Sequence, residues 1–185
     1  SELEEVLKEA KRLIDEIRKH TRDVSERSKR LLEEDLKHTE EVIKEIRKLI
    51  KEILDRIRAR ETSEDLRRDI ERATREIRKL LEDNTRESRR VIEESERLAR
   101  DNKEKSKRVI DELRELVKDI ARRDKSEDDL RRLKETIERL AKDLERLNRE
   151  HDETNKKLAK DSEDLNRELK KRVEELEEEL RRALK

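Results

Sequence analysis

Apolar residues return along this chain at one fixed interval. Leu13, Leu31 and Leu49 lie eighteen residues apart, as do Val6, Val24 and Val42. The same step relates Leu80, Leu98 and Leu116, and again Leu140, Leu158 and Leu176. Eighteen residues make five turns of an α-helix at about 3.6 residues per turn, so each set forms one line along a helix surface. The columns lie on an apolar arc wide enough to face a common core. The phase also runs unbroken through two polar stretches that resemble turns, DNT at 83–85 and HDETN at 151–155. A turn would shift it, so both stretches are read as helix.

Three capping boxes mark the helix starts, each pairing a hydroxyl with a carboxylate three residues later. They are Ser1 with Glu4, Thr62 with Asp65 (Ser63 is an alternative cap), and Ser126 with Asp129. Helices are therefore expected over about 2–61, 64–123 and 127–184, each roughly 90 Å long at 1.5 Å per residue. A heptad repeat drifts around a helix and forces supercoiling, whereas an eighteen-residue repeat does not. The expected fold is all-α: a straight, nearly untwisted up-down-up three-helix bundle, as one domain over 1–185.

The core columns carry polar residues at their centres. Thr21 and Thr39 share a column with Leu3 and Ile57. The second segment has Leu66, Asn84, Asn102 and Ile120, and the third Leu130, Asn148, Asn166 and Leu184. Short connections make consecutive helices antiparallel. In that arrangement, level residues of the first two helices have numbers that add to one constant, and the third helix follows the first at a constant offset. One register then stacks Thr21, Asn102 and Asn148 in a layer, and Thr39, Asn84 and Asn166 in another. It also groups Ser28 with Ser95 and Asn155, and Asp35 with Ser88 and Ser162. His151 falls level with Val24 and Ala99, where it is expected to be buried and neutral. His20 and His38, each next to a core threonine, are expected to reach the layers from their edges. Between the polar layers lies Leu31 with Ile92 and Leu158; layers such as Ala10–Leu113–Ile137 and Ile46–Ile77–Val173 are dry. Buried amides and hydroxyls are costly when unpaired. Grouped at one height they satisfy one another, and sliding a helix separates them.

Composition narrows the function. The chain has no Gly, Pro, Cys, Met or aromatic residue; 58% of its residues are charged, and 54 basic residues balance 54 acidic ones. Without cysteine there is no disulfide framework, thiol chemistry or Cys-ligated zinc. Interleaved charge of zero net sign is not a nucleic-acid footprint, and no apolar run is long enough to span a bilayer. The first residues carry no targeting signal, and Ser1 is expected to follow a processed start or a removed tag.

His20 and His38 stand five turns apart, about 27 Å on a straight helix, so they cannot share a metal ion. There is no HExxH motif, phosphate-binding loop or nucleophile elbow. No catalytic residue, cofactor or metal site is expected. The charge runs are read as solvated helix faces.

The paired KHT at 19–21 and 37–39, DN at 83–84 and 101–102, and LNRE at 147–150 and 165–168 give the chain its resemblance. With the missing residue types and the Glu/Lys/Arg surfaces, it resembles computationally designed helical bundles with buried hydrogen-bond networks. Its Gly-free turns depart from that class. The alternative, a spectrin-like three-helix repeat, usually has aromatic core residues, which are absent here. The resemblance implies no enzyme activity and no natural biochemical role. It implies a designed structural scaffold, or a designed module that pairs with another helix or a second copy in a coiled-coil-like bundle. No partner is required by the first reading. The second is supported by the wide apolar arc of the first segment, extended by Leu7, Leu36, Ile43 and Leu54.

Overall fold

The computed structural model describes residues 2–59, 64–123 and 127–183. They form three helices, α1 (Glu2–Arg58), α2 (Glu64–Arg123) and α3 (Glu127–Ala183), with no strand among the described residues. The polar stretches at 83–85 and 151–155 are helical throughout. The capping residues Ser1, Thr62, Ser63 and Ser126, and the column residue Leu184, lie outside the described residues. α1 ends at Arg58 and the Ala59 N–H donates to the Asp55 carbonyl at 3.0 Å; positions 60 and 61 of the expected helix lie outside the described residues. Every first turn is acidic and every last turn basic: Glu2, Glu4 and Glu5 open α1, and Arg56 and Arg58 close it. These charges oppose the helix dipole at each end.

The three helices pack against one another as a three-helix bundle, organised into two compact units. The first unit comprises Ser1–Arg30 and Glu94–Lys156, and the second Leu31–Glu93 and Lys157–Lys185. Each contains a piece of all three helices.

In the first unit, Leu3, Ala10, Ile14, Leu113, Val117, Ile120, Leu133 and Ile137 form one buried cluster, which contains the Ala10–Leu113–Ile137 layer. A second cluster joins Ile17, Ile110, Ala141 and Leu144. Contacts fix the helix directions. Arg123 near the end of α2 lies 3.7 Å from Glu2 at the start of α1, so these two helices are antiparallel. Arg18 approaches Asp143 to 3.7 Å and Ser25, further along α1, bonds to His151, further along α3, so α3 runs parallel to α1.

In the second unit, Val42, Ile46, Ile50, Ile77, Leu81, Leu169 and Val173 form the main buried cluster. Leu32, Val91 and Ile92 form another, covered by Leu31 and Leu158. Arg56 of α1 pairs with Asp69 of α2 at 2.6 Å. Arg78 of α2 grips Glu177 of α3 through two bonds of 2.7 and 2.8 Å, which hold the Glu177 carboxyl below the usual carboxylate range. Among the described residues, no large apolar side chain is fully exposed, and no helix is long and apolar enough to cross a membrane.

Ile137 is 1% exposed, with Ala10 and Leu113 in its cluster. Ile137→Ala should lower unfolding stability by about 2–5 kcal/mol, because the close-packed layer cannot collapse fully around the cavity. Lys134→Ala, one turn away on the exposed face, should change it by less than about 0.5 kcal/mol. Urea denaturation of both variants measures the contrast.

Candidate functional site

Polar side chains occupy the core of each unit. In the first, Asn102 stands at the centre of three helices. Its Nδ2 donates to Thr21 Oγ1 on α1 at 2.9 Å and to Asn148 Oδ1 on α3 at 3.1 Å. Thr21 returns a hydroxyl bond to Asn102 Oδ1 at 3.3 Å. Thr21 and Asn102 are buried, and Asn148 is half-buried. One carboxamide thus joins all three chain segments at a single height.

The second unit repeats the motif. Asn84 Nδ2 donates to Thr39 Oγ1 at 2.9 Å and to Asn166 Oδ1 at 2.8 Å. Asn166 in turn donates to Ser88 Oγ at 3.0 Å and to the main-chain carbonyl of Ser162 at 2.9 Å. Ser162 Oγ donates to Asp35 Oδ2 at 2.9 Å. Two layers therefore merge into one chain of bonds from Thr39 to Asp35. All six residues are buried, although Asp35 Oδ1 and Asn84 Oδ1 have no hydrogen-bond partner.

The remaining sequence-predicted residues behave differently. Ser28 and Ser95 are buried and Asn155 is half-buried, but Ser28 Oγ and Asn155 Oδ1 have no hydrogen-bond partner. A serine hydroxyl lies one bond beyond Cβ, too short to span the 8–10 Å that typically separates packed helix axes. His38 is exposed and His20 half-buried, and neither hydrogen-bonds to a layer. The expectation that both reach the layers is corrected here. One residue before a core threonine, the side chain is turned about 100° around the helix from it, away from the centre of the layer. Ser106 is also buried, and sequence reasoning missed it; its hydroxyl donates to the Asn102 carbonyl one turn back at 2.8 Å. The signal was present, since Ser106 lies eighteen residues after Ser88. This back-bond satisfies the hydroxyl without a partner helix.

His151 is half-buried beside a cavity of about 10 Å³ that Val24, Ser25 and Ala99 also line. A hydrogen bond joins His151 Nδ1 to Ser25 Oγ, and Nε2 has no partner. The cavity is too small for a ligand. Burial pushes the imidazole below its ordinary range, outweighing the acidic neighbours Glu150 and Asp152, while Arg22 acts in the same direction as burial. Among the described residues, no three His, Cys, Asp or Glu side chains converge where they could hold a metal ion.

No protein-family model and no curated protein sequence matches the chain. Among solved structures, a chain described as a computationally designed three helix bundle is similar to it. The TM-score is 0.57 at 20% identity, covering 99% of this chain and 89% of that one. At that identity the likeness concerns the fold.

Two predictions follow from this geometry. Asn102→Leu removes the donor that serves both Thr21 and Asn148, and should cost about 1–3 kcal/mol in a urea titration. Replacing Thr21, Asn102 and Asn148 together with apolar residues leaves no orphaned partner, and stability should return to the parent value or exceed it. If the single variant is as stable as the triple, the bonds do not carry this role.

The other concerns acid. The folded-state pKa of His151 is lowered from about 6.5, so the unfolded chain takes up the proton first. The stability contribution is therefore intact above about pH 6.5, falls as pH drops below it, and stops falling below the folded-state pKa. Between pH 7.5 and pH 5, His151→Asn should lose less melting temperature than the parent. Equal losses would mean that His151 does not titrate in this way.

Proposed function

We propose that the chain is a non-natural structural scaffold in which buried amide layers hold three helices in one register. The observation that carries this reading is Asn102, which donates to both other helices at 2.9 and 3.1 Å. Apolar layers tolerate sliding, because one aliphatic side chain replaces another at similar cost. An amide layer does not: displacing one helix by a turn leaves polar groups buried without partners.

Composition supports a designed origin. A chain with no Gly, Pro, Cys, Met or aromatic residue, whose core columns step by eighteen, follows a rule more than it follows ordinary residue usage. The likeness to a structure titled a computationally designed bundle is in keeping with this. In this reading the chain is no enzyme and requires no cofactor, nucleic acid, membrane or partner. In this reading the asparagines bear the specificity, the serines contribute less, and His20 and His38 stand outside the layers.

The test uses spin labels on two exposed positions of the first unit, Lys19 on α1 and Lys105 on α2. In an otherwise unaltered chain, pulsed dipolar spectroscopy should give one narrow distance distribution. With Thr21, Asn102 and Asn148 all made apolar, the distribution should broaden or split while helicity is retained. An unchanged narrow distribution would contradict the register-holding role.

A further inference from the structure

The flank of the second unit between α1 and α3 differs from its flank between α2 and α3. Between α2 and α3 lies a groove of about 500 Å³ whose lining is mostly charged and polar, with the Arg78–Glu177 pair across it. Between α1 and α3 lies an open groove of about 440 Å³. Ile43 and Leu54 of α1 and Leu165 and Leu176 of α3 line its floor, and all four are only half-buried. Ile43 and Leu54 are among the residues that widen the apolar arc of the first segment. The groove lies wholly within the second unit.

Its rim is mainly basic. Arg47, Lys51 and Arg58 lie along the α1 bank and Arg172 along the α3 bank, against two acids, Asp55 and Glu168. None of these six side chains forms an ion pair with another described residue. Elsewhere, arginines commonly pair within their own helix, as Arg90 does with Glu87 and Arg97 with Glu94 and Asp101.

We propose that this groove is a docking site for an amphipathic helix with acidic flanks, contributed by another chain. An apolar stripe would complete the burial of Ile43, Leu54, Leu165 and Leu176, and carboxylates beside the stripe would meet the basic rim. Ile43 to Leu54 spans about 16 Å of helix axis, so roughly three turns of the incoming helix fill it. A second copy docking through the same face would set basic rim against basic rim, which opposes symmetric self-association here. The groove shares no residue with the Asn102 layer and goes beyond the scaffold reading; it survives if that reading fails, and the reverse is also true.

The experiment uses two synthetic 21-residue helical peptides with the same Leu/Ile stripe, one flanked by Glu and the other by Lys. Fluorescence anisotropy with the full chain should show saturable binding of the Glu-flanked peptide, weakened by added salt, and at least about tenfold weaker binding of the Lys-flanked one. The exposed substitutions Arg47→Glu, Lys51→Glu and Arg172→Glu, made together, should reverse the preference. Helicity and melting temperature are measured alongside to establish that the variant is folded. Sedimentation of the chain alone at the same concentrations should give a monomer. The proposal is overturned if neither peptide binds, if both bind equally, or if the folded triple variant keeps the parent's preference. It is also overturned if the chain forms a dimer that this variant abolishes, because a second copy would then be the occupant.

Discussion

A carboxamide held among three helices is the interaction on which this molecule's specificity depends. Aliphatic packing supplies most of the driving force, but Leu and Ile side chains at similar heights are nearly interchangeable, so packing alone ranks neighbouring registers closely. Asn102 and Asn84 separate those registers. Each presents two N–H donors on one nitrogen, and each donor meets an acceptor on a different helix. That geometry exists at one height only. The dry layers in each unit stabilise whatever alignment the amides select.

The polar positions differ in how they are satisfied, and chain reach explains the difference. Asparagine places its donors two bonds beyond Cβ and can bridge helices; threonine and serine bond across only when a longer group comes to them. Thus Ser88 is bonded because Asn166 reaches it, and Ser162 because Asp35 does. Ser28 keeps a buried hydroxyl without a partner, because Asn155, grouped with it by register, does not bond to it. Ser106 resolves the same problem locally through the Asn102 carbonyl. A polar residue at a core position is therefore only an opportunity. Its length and that of its level neighbours decide whether a bond forms.

This also sets what could be read from the sequence. Helix number followed from the capping boxes and the unbroken phase, direction from the short connections, and the grouping of Thr21, Asn102 and Asn148 from the eighteen-residue step, because that step maps directly onto helix geometry. His38 was placed at a layer edge, but the turn of the helix carries its ring to solvent. Ser106 was less legible because it stands alone at its height, level with the apolar Ile17 and Leu144, whereas the layers show as groups of polar residues. The joining of two layers through the Ser162 main-chain carbonyl could not be read at all, because residue identity carries no record of that acceptor. The open α1–α3 groove was visible only as an unusually wide apolar arc; its rim of unpaired charge required coordinates.

The central claim is that two asparagine carboxamides donate to two helices at once. Side-chain amide NMR on uniformly labelled protein tests it most directly. The Nδ2 protons of Asn102 should show cross-relaxation to the side chains of Thr21 and Asn148, those of Asn84 to Thr39 and Asn166, and both should exchange slowly with water. Rapid exchange at these two sites, with no contact to the residues named, would contradict the account.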